Sequence, residues 1–98
     1  MVKTNVQIRN YVMILTDKSL QLGLIIGRQG TKMQYLTDEK EYDAESMQKV
    51  KSQIKRNEFR FGCYQHKVVE TEIYNITEIL GSVPKRRFNR IMSTKTFF

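Results

Sequence analysis

LQLGLIIGRQGTKMQYL, residues 20–36, is the stretch of this 98-residue chain that decides its fold. Leucine recurs at every second position from Leu20 to Leu24, and strict alternation is typical of a half-buried β-strand. The glycines that bracket Gly27–Gly30 can adopt the positive φ angles of a hairpin turn, and apolar residues resume at Met33. The stretch is therefore predicted to be a β-hairpin.

A further strand is predicted immediately before the hairpin. Tyr11–Leu15 is almost wholly apolar and is followed by the polar turn cluster of residues 16–19. With the hairpin it gives a three-stranded meander from about Tyr11 to Thr37, and Asn5–Ile8 is a candidate edge extension. A sheet of this size is stable only when another element covers its apolar face.

A central helix is predicted to provide that cover. Asp43 can cap it, and three apolar residues downstream fall on one helical face: Met47, Val50 and Ile54. The helix is expected to end near Asn57. Phe59–Gln65 then alternates and is predicted to form a fourth strand.

The last third of the chain is predicted to be mainly helical. Val68–Leu80 has β-branched residues that favour a strand, but its apolar residues also fall at helical spacing, and the helical interpretation is preferred. Gly81 would end that helix. A short helix that starts at Ser82-Val83-Pro84 would carry Phe88, Ile91 and Met92 on its inner side, with Arg86 and Arg90 on the opposite face. The predicted fold class is α+β, a small antiparallel sheet with one central helix and a helical C-terminal third, in a single compact domain of residues 1–98.

The excess of basic residues indicates which kind of partner the protein would bind. Lys and Arg number 17 against 10 Asp and Glu, which gives a net charge of +7 and favours polyanions, of which nucleic acid is the commonest. Solubility alone is the competing explanation for this net charge.

No apolar run is long enough to span a membrane, and the first ten residues lack the apolar core of a secretory signal. The single cysteine, Cys63, fits a reducing compartment, so a cytoplasmic protein without membrane contact is expected.

Two segments resemble known RNA-binding families. Gly27-Arg28-Gln29-Gly30 resembles the GxxG loop of KH domains, which implies that Arg28 would meet the phosphates of a single strand; an ordinary hairpin turn is the preferred interpretation. Val12–Glu39 resembles the first half of an Sm-like or SH3-type small barrel. Sm-like proteins bind single-stranded RNA as rings, which leaves a homo-oligomer open. The polar loop residues of that family are not matched, so only small-barrel topology is carried over.

Catalytic and metal chemistry are not expected. Cys63 and His66 have C-x-x-H spacing, but a zinc site needs about four ligands and the chain has no other Cys or His. The same pair lacks an orienting carboxylate for nucleophilic catalysis. The acidic run of residues 38–45 fits a solvated turn and a helix start. We therefore predict a protein without enzymatic activity, metal or cofactor.

The basic element Lys85–Arg90 is the best functional candidate. Arginine presents forked donors to phosphate, and Phe88 between the arginines could stack on an unpaired base. The competing interpretation is an amphipathic helix that only solvates its arginines. The candidate phosphate-contacting residues of the whole chain are Arg28, Lys32, Lys55, Arg56, Arg60, Lys85, Arg86, Arg87 and Arg90.

The sequence therefore predicts a non-catalytic accessory protein that binds nucleic acid, either DNA or RNA. The alternative is a virus-encoded or regulatory interaction factor or inhibitor whose basic surface docks on an acidic partner protein.

Overall fold

A five-stranded antiparallel sheet forms the body of the protein. The computed structural model describes residues 6–17, 19–38, 40–59 and 67–94. Its elements in chain order are β1 (Asn10–Leu15), β2 (Leu20–Gln29), β3 (Lys32–Thr37), α1 (Ala44–Lys55), β4 (Lys67–Glu72), a 3-10 helix (Ile73–Asn75), β5 (Ile76–Ser82) and α2 (Lys85–Thr94). The strand order is β4-β3-β2-β1-β5. The predicted α+β class and the N-terminal meander are confirmed.

The predicted hairpin forms, but its turn lies further along the chain. β2 continues through Gly27 to Gln29, and the turn is made by Gly30 and Thr31, with Gly30 at φ 63°. The GxxG segment is therefore mostly strand, whereas a KH loop lies between helices. The resemblance to KH domains is wrong for this reason.

The helix α1 covers one face of the sheet. Asp43 is its N-cap, as predicted: the carboxylate accepts hydrogen bonds from the backbone N–H and the hydroxyl of Ser46, each at 2.7 Å. The inner face of the helix packs on fully buried Leu22 and Leu24 of β2. The buried side chains of α1 are Met47, Val50 and Ile54. Burial of this apolar stripe, rather than helix propensity alone, is what stabilises α1 on the sheet.

The opposite face of the sheet is also buried, although α1 does not reach it. Its core consists of Val6, Val12, Ile14, Ile25, Met33, Tyr35 and Ile76. β2 contributes to both cores because successive residues of a strand face opposite sides of the sheet: Leu22 and Leu24 lie in the first core and Ile25 in the second. The pairing of β2 with β3 shifts its register at Ile26, between the pairs Ile25–Tyr35 and Gly27–Gln34.

Curvature of the sheet explains how this second core is enclosed. The edge strands β4 and β5 are joined only by Ile73–Asn75, so the Cα atoms of Glu72 and Ile76 are at most about 14 Å apart. The edges of a flat five-stranded sheet would lie about 19 Å apart. The sheet must therefore curl toward its second core. In the described residues β4 and β5 do not pair with each other, so the sheet is not closed into the SH3-type or Sm-like barrel that the sequence suggested.

Gly23 provides space on the concave face of this sheet. A Cβ atom added there would lie 2.7 Å from Cδ2 of Tyr35 and 2.8 Å from Cδ1 of Ile14. The ring of Tyr35 thus occupies the volume that a side chain at residue 23 would need. Its hydroxyl donates a 3.1 Å hydrogen bond to Oε1 of Gln21.

The helical interpretation of Val68–Leu80 is wrong. These residues form β4, the 3-10 helix and most of β5, and Gly81 lies inside β5 instead of ending a helix. The strand preference of the β-branched residues prevails here. Each strand pairs along its length with a partner, β4 with β3 and β5 with β1, and β-branched side chains pack well on such a sheet. Within the described residues of the predicted helical third, α2 is the one α-helix.

Two further predictions concern the flanks of the meander and of α1. Val6–Ile8 is not a strand: Gln7–Asn10 is a turn closed by a 3.1 Å hydrogen bond from the Asn10 N–H to the Gln7 carbonyl. Phe59 is also outside any strand, and its ring packs edge-on against Tyr11 with centroids 5.3 Å apart. The rest of the predicted strand, with Cys63, lies outside the described residues, as does His66.

None of the helices within the described ranges combines the length and the apolar composition that crossing a bilayer requires.

Candidate nucleic-acid interface

The helix α2 is attached to the sheet at its start and along one side. The Val83 N–H donates to the carbonyl of Arg9 at 2.9 Å, which holds the chain just before α2 begins. Phe88, Ile91 and Met92 are partly buried against the core under α1. The predicted inner face of this helix is thereby confirmed, and Phe88 is part of the packing.

The outer face of α2 is polar and basic. Arg86, Asn89, Arg90 and Ser93 are exposed and follow the three- and four-residue spacing of one helical stripe. Lys85 is exposed as well. Since α2 has no acidic residue, none of these cations can pair within the helix.

The charge distribution of α2 is the reverse of what helices usually show. Cations are normally favourable near the C-terminus, where the helix dipole is negative, yet Lys85, Arg86 and Arg87 occupy the first turn. In α1 the arrangement is the usual one, with Glu45 in the first turn and Lys55 in the last. The three basic side chains therefore add to the positive end of the α2 dipole and concentrate positive potential there.

The end of α1 extends this positive region. Nη1 of Arg87 donates a 3.1 Å hydrogen bond to Oδ1 of Asn57, which follows α1 with a left-handed φ of 58°. Lys55 and Arg56 directly precede Asn57 and are exposed, and Nε of Arg56 lies 2.9 Å from Oε1 of Glu58. We call the combined set the α1–α2 basic surface; it comprises Lys55, Arg56, Lys85, Arg86, Arg87 and Arg90.

The two candidates on the β2–β3 hairpin have contacts of their own. Nη1 of Arg28 donates to the carbonyl of Val6 at 3.2 Å, and Nζ of Lys32 lies 3.8 Å from Oε1 of Glu70. Arg28 thus ties the segment before β1 to the hairpin, and the charge of Lys32 is balanced across the β3–β4 pair. Neither belongs to the α1–α2 basic surface. Arg60, the remaining candidate, lies outside the described residues.

Arg9 lies beside the start of α2, a position that no pattern in the sequence indicates. It has a φ of 81°, which non-glycine residues rarely adopt, in the turn before β1. Two backbone hydrogen bonds of 2.9 Å hold it there, from its own N–H to the Ile25 carbonyl and from the Val83 N–H to its carbonyl. A glycine or Asn-Gly pair would have marked this turn, but the position holds an arginine.

Three groups have pKa values that the fold moves further from neutral pH. Burial raises the pKa of the Tyr35 hydroxyl. Burial also raises the pKa of Tyr42, as does its 2.8 Å hydrogen bond to the Asp38 carboxylate. The hydrogen bonds from Ser46 lower the pKa of Asp43. The two tyrosines remain protonated and Asp43 remains ionised at neutral pH, which suits hydrogen bonding in the fold.

In the described parts of the chain, no three His, Cys, Asp or Glu side chains are grouped around one point. Comparison of the chain with known protein families, with curated proteins and with solved structures gave no match.

Proposed function

We propose that this protein is a non-catalytic accessory protein that binds nucleic acid through the α1–α2 basic surface. The observation that carries the proposal is the first turn of α2, where Lys85, Arg86 and Arg87 surround the positive end of a helix that has no acidic residue. Backbone N–H groups at a helix start and nearby cations both favour phosphate.

The three basic residues in the first turn of α2 also destabilise the folded protein. This cost is a second reason to infer that they bind a ligand. Like charges crowded at the positive end of a dipole repel one another and weaken the first turn of the helix. The exposed side chains of Lys85 and Arg86 have no role in the core that would offset this cost. A polyanion would neutralise them and would release counterions, which is the main source of affinity in protein–nucleic acid complexes.

A salt titration of binding tests the proposal. We compare the protein with the variant Arg86→Gln/Arg90→Gln by fluorescence anisotropy, using a labelled 20-base-pair DNA of mixed sequence. Two lost phosphate contacts should reduce the magnitude of the slope of log affinity against log salt by about 1.8. The matched control is Lys40→Gln/Lys49→Gln, which removes the same charge from exposed positions outside the basic surface and should leave the slope nearly unchanged.

Equal slopes for the α2 variant and the control would show that binding follows net charge and would refute the assigned surface. Absence of binding by the unmodified protein at low salt would refute the proposal as a whole. An acidic protein would then be the favoured partner. A pull-down from host lysate that retains one discrete protein after nuclease treatment, and loses it with Arg86→Gln/Arg90→Gln, would identify that alternative.

A further inference from the structure

We infer that the nucleic acid bound at the α1–α2 basic surface is duplex DNA, with α2 lying in the major groove. The inference rests on the proposed function and specifies the class of its ligand.

The aromatic residue of α2 is turned toward the core and is partly buried. Proteins that bind single strands commonly stack bases on exposed aromatic rings. Phe88 instead packs against the core under α1, and every residue of the outer stripe of α2 is polar. Tyr74, which is 63% exposed, lies at the other end of β5, about 20 Å away by the length of that strand. The partial burial of Phe88 therefore opposes the stacking role that the sequence suggested for it.

The exposed stripe suits the edges of base pairs. Asparagine can form paired hydrogen bonds with adenine in the major groove. Arg86, Asn89 and Arg90 lie on one side of α2, so a groove that admits the helix would meet all three together. Asn89 would then reach the base edges, and the cations of Arg86 and Arg90 beside it would face the phosphates.

The dimensions of the helix agree with a B-form groove. α2 has 10 residues and is about 15 Å long, and it is attached to the sheet along only one side. The major groove of B-form DNA is about 12 Å wide and admits an α-helix. The major groove of A-form RNA is deep and narrow and does not. Duplex DNA is thus the ligand that both the chemistry and the shape of α2 fit.

Three probes of equal length test the inference under one salt condition. They are a 20-base-pair DNA duplex, one of its single strands and the RNA duplex of the same sequence. We expect the DNA duplex to bind at least tenfold more tightly than either of the others. Comparable affinity for the single strand or for the RNA duplex would overturn the inference while leaving the proposed function intact. Binding to none of the three would overturn both.

Two substitutions separate groove binding from stacking. Phe88→Leu keeps an apolar side chain in the core but removes the ring, so duplex affinity should change by less than twofold; a tenfold loss in a folded variant would overturn the inference. Asn89→Ala should weaken binding to a duplex site selected from a random pool by about tenfold. The matched control is Gln48→Ala, an exposed amide on α1. Equal effects of the Asn89 and Gln48 variants would also overturn the inference.

Discussion

Leu15 and Leu24 show how strongly the effect of one residue depends on its place in the sheet. Leu24 is fully buried under α1, whereas Leu15 at the end of β1 is 54% exposed. Replacing Leu24 with Ala should lower the free energy of unfolding by about 2 to 5 kcal/mol, because a large buried side chain is lost and a cavity remains. The same change at Leu15 should cost less than about 0.5 kcal/mol. Urea denaturation of both variants checks the difference; similar midpoints would mean that the β2 register is wrong.

Gly23 is expected to tolerate no side chain. The added methyl group of Gly23→Ala would collide with the rings and methyl groups of the second core, so we expect a loss of about 1 to 3 kcal/mol in unfolding free energy. Gly30→Asn is the matched control, because the hairpin turn leaves open space there and asparagine accepts a left-handed φ. Thermal unfolding in which Gly23→Ala is as stable as Gly30→Asn would contradict the packing described for Tyr35.

At the level of elements, the cap of α1 gives a prediction about pH. The pKa of Asp43 is lowered in the folded protein, so its contribution to stability is present above the carboxyl pKa of the unfolded chain and is lost as pH falls through the folded pKa. Asp43→Ala should therefore lower the melting temperature at pH 7, and the difference from the unmodified protein should shrink below about pH 4. Asp43→Asn, which keeps an acceptor, should lie between the two. A difference that stays constant from pH 7 to pH 3 would contradict the role of the charge.

The elements that the sequence predicts correctly are those whose signals are local. Asp43 and the apolar spacing of α1 lie within a dozen residues, and they give the cap and the buried face without further information. The helical interpretation fails at Val69 and Ile76, which lie in strands, because these residues fit both a helical and a strand pattern. What decides between the patterns is pairing with β3 and β1, which are distant in sequence.

In the candidate site, too, features with local signals can be predicted from the sequence and features that depend on distant contacts cannot. Arg86 and Arg90 were correctly expected on the outer face of α2, since their four-residue spacing is a property of the helix alone. The contact of Arg28 with Val6 and the position of Arg9 beside Val83 could not be predicted, because both arise where separate segments meet in the folded chain.

For the whole molecule, we expect the two edges of the sheet to differ in stability. β4 and β5 are both edge strands, but α1 lies over β5, where Ile54 is next to Gly81 and the Lys51 ammonium pairs with the Glu78 carboxylate. Most residues of β4 are exposed or only partly buried. Backbone amides of β4 should therefore exchange with solvent deuterium faster than those of β5, as hydrogen-exchange measurements can show. Equal protection of both strands would contradict this order.

The position of β1 between β2 and β5 determines the order in which the sheet can form while the ribosome synthesises the chain. β1 meets β2 soon after synthesis, but its other side is matched by Ile76–Ser82, which is made after all the other strands. Until that segment leaves the exit tunnel, the nascent chain carries a strand with one row of backbone groups still open to other chains. The last pairing to become available is thus the one that joins β1 to β5, the first of the five strands to the fifth.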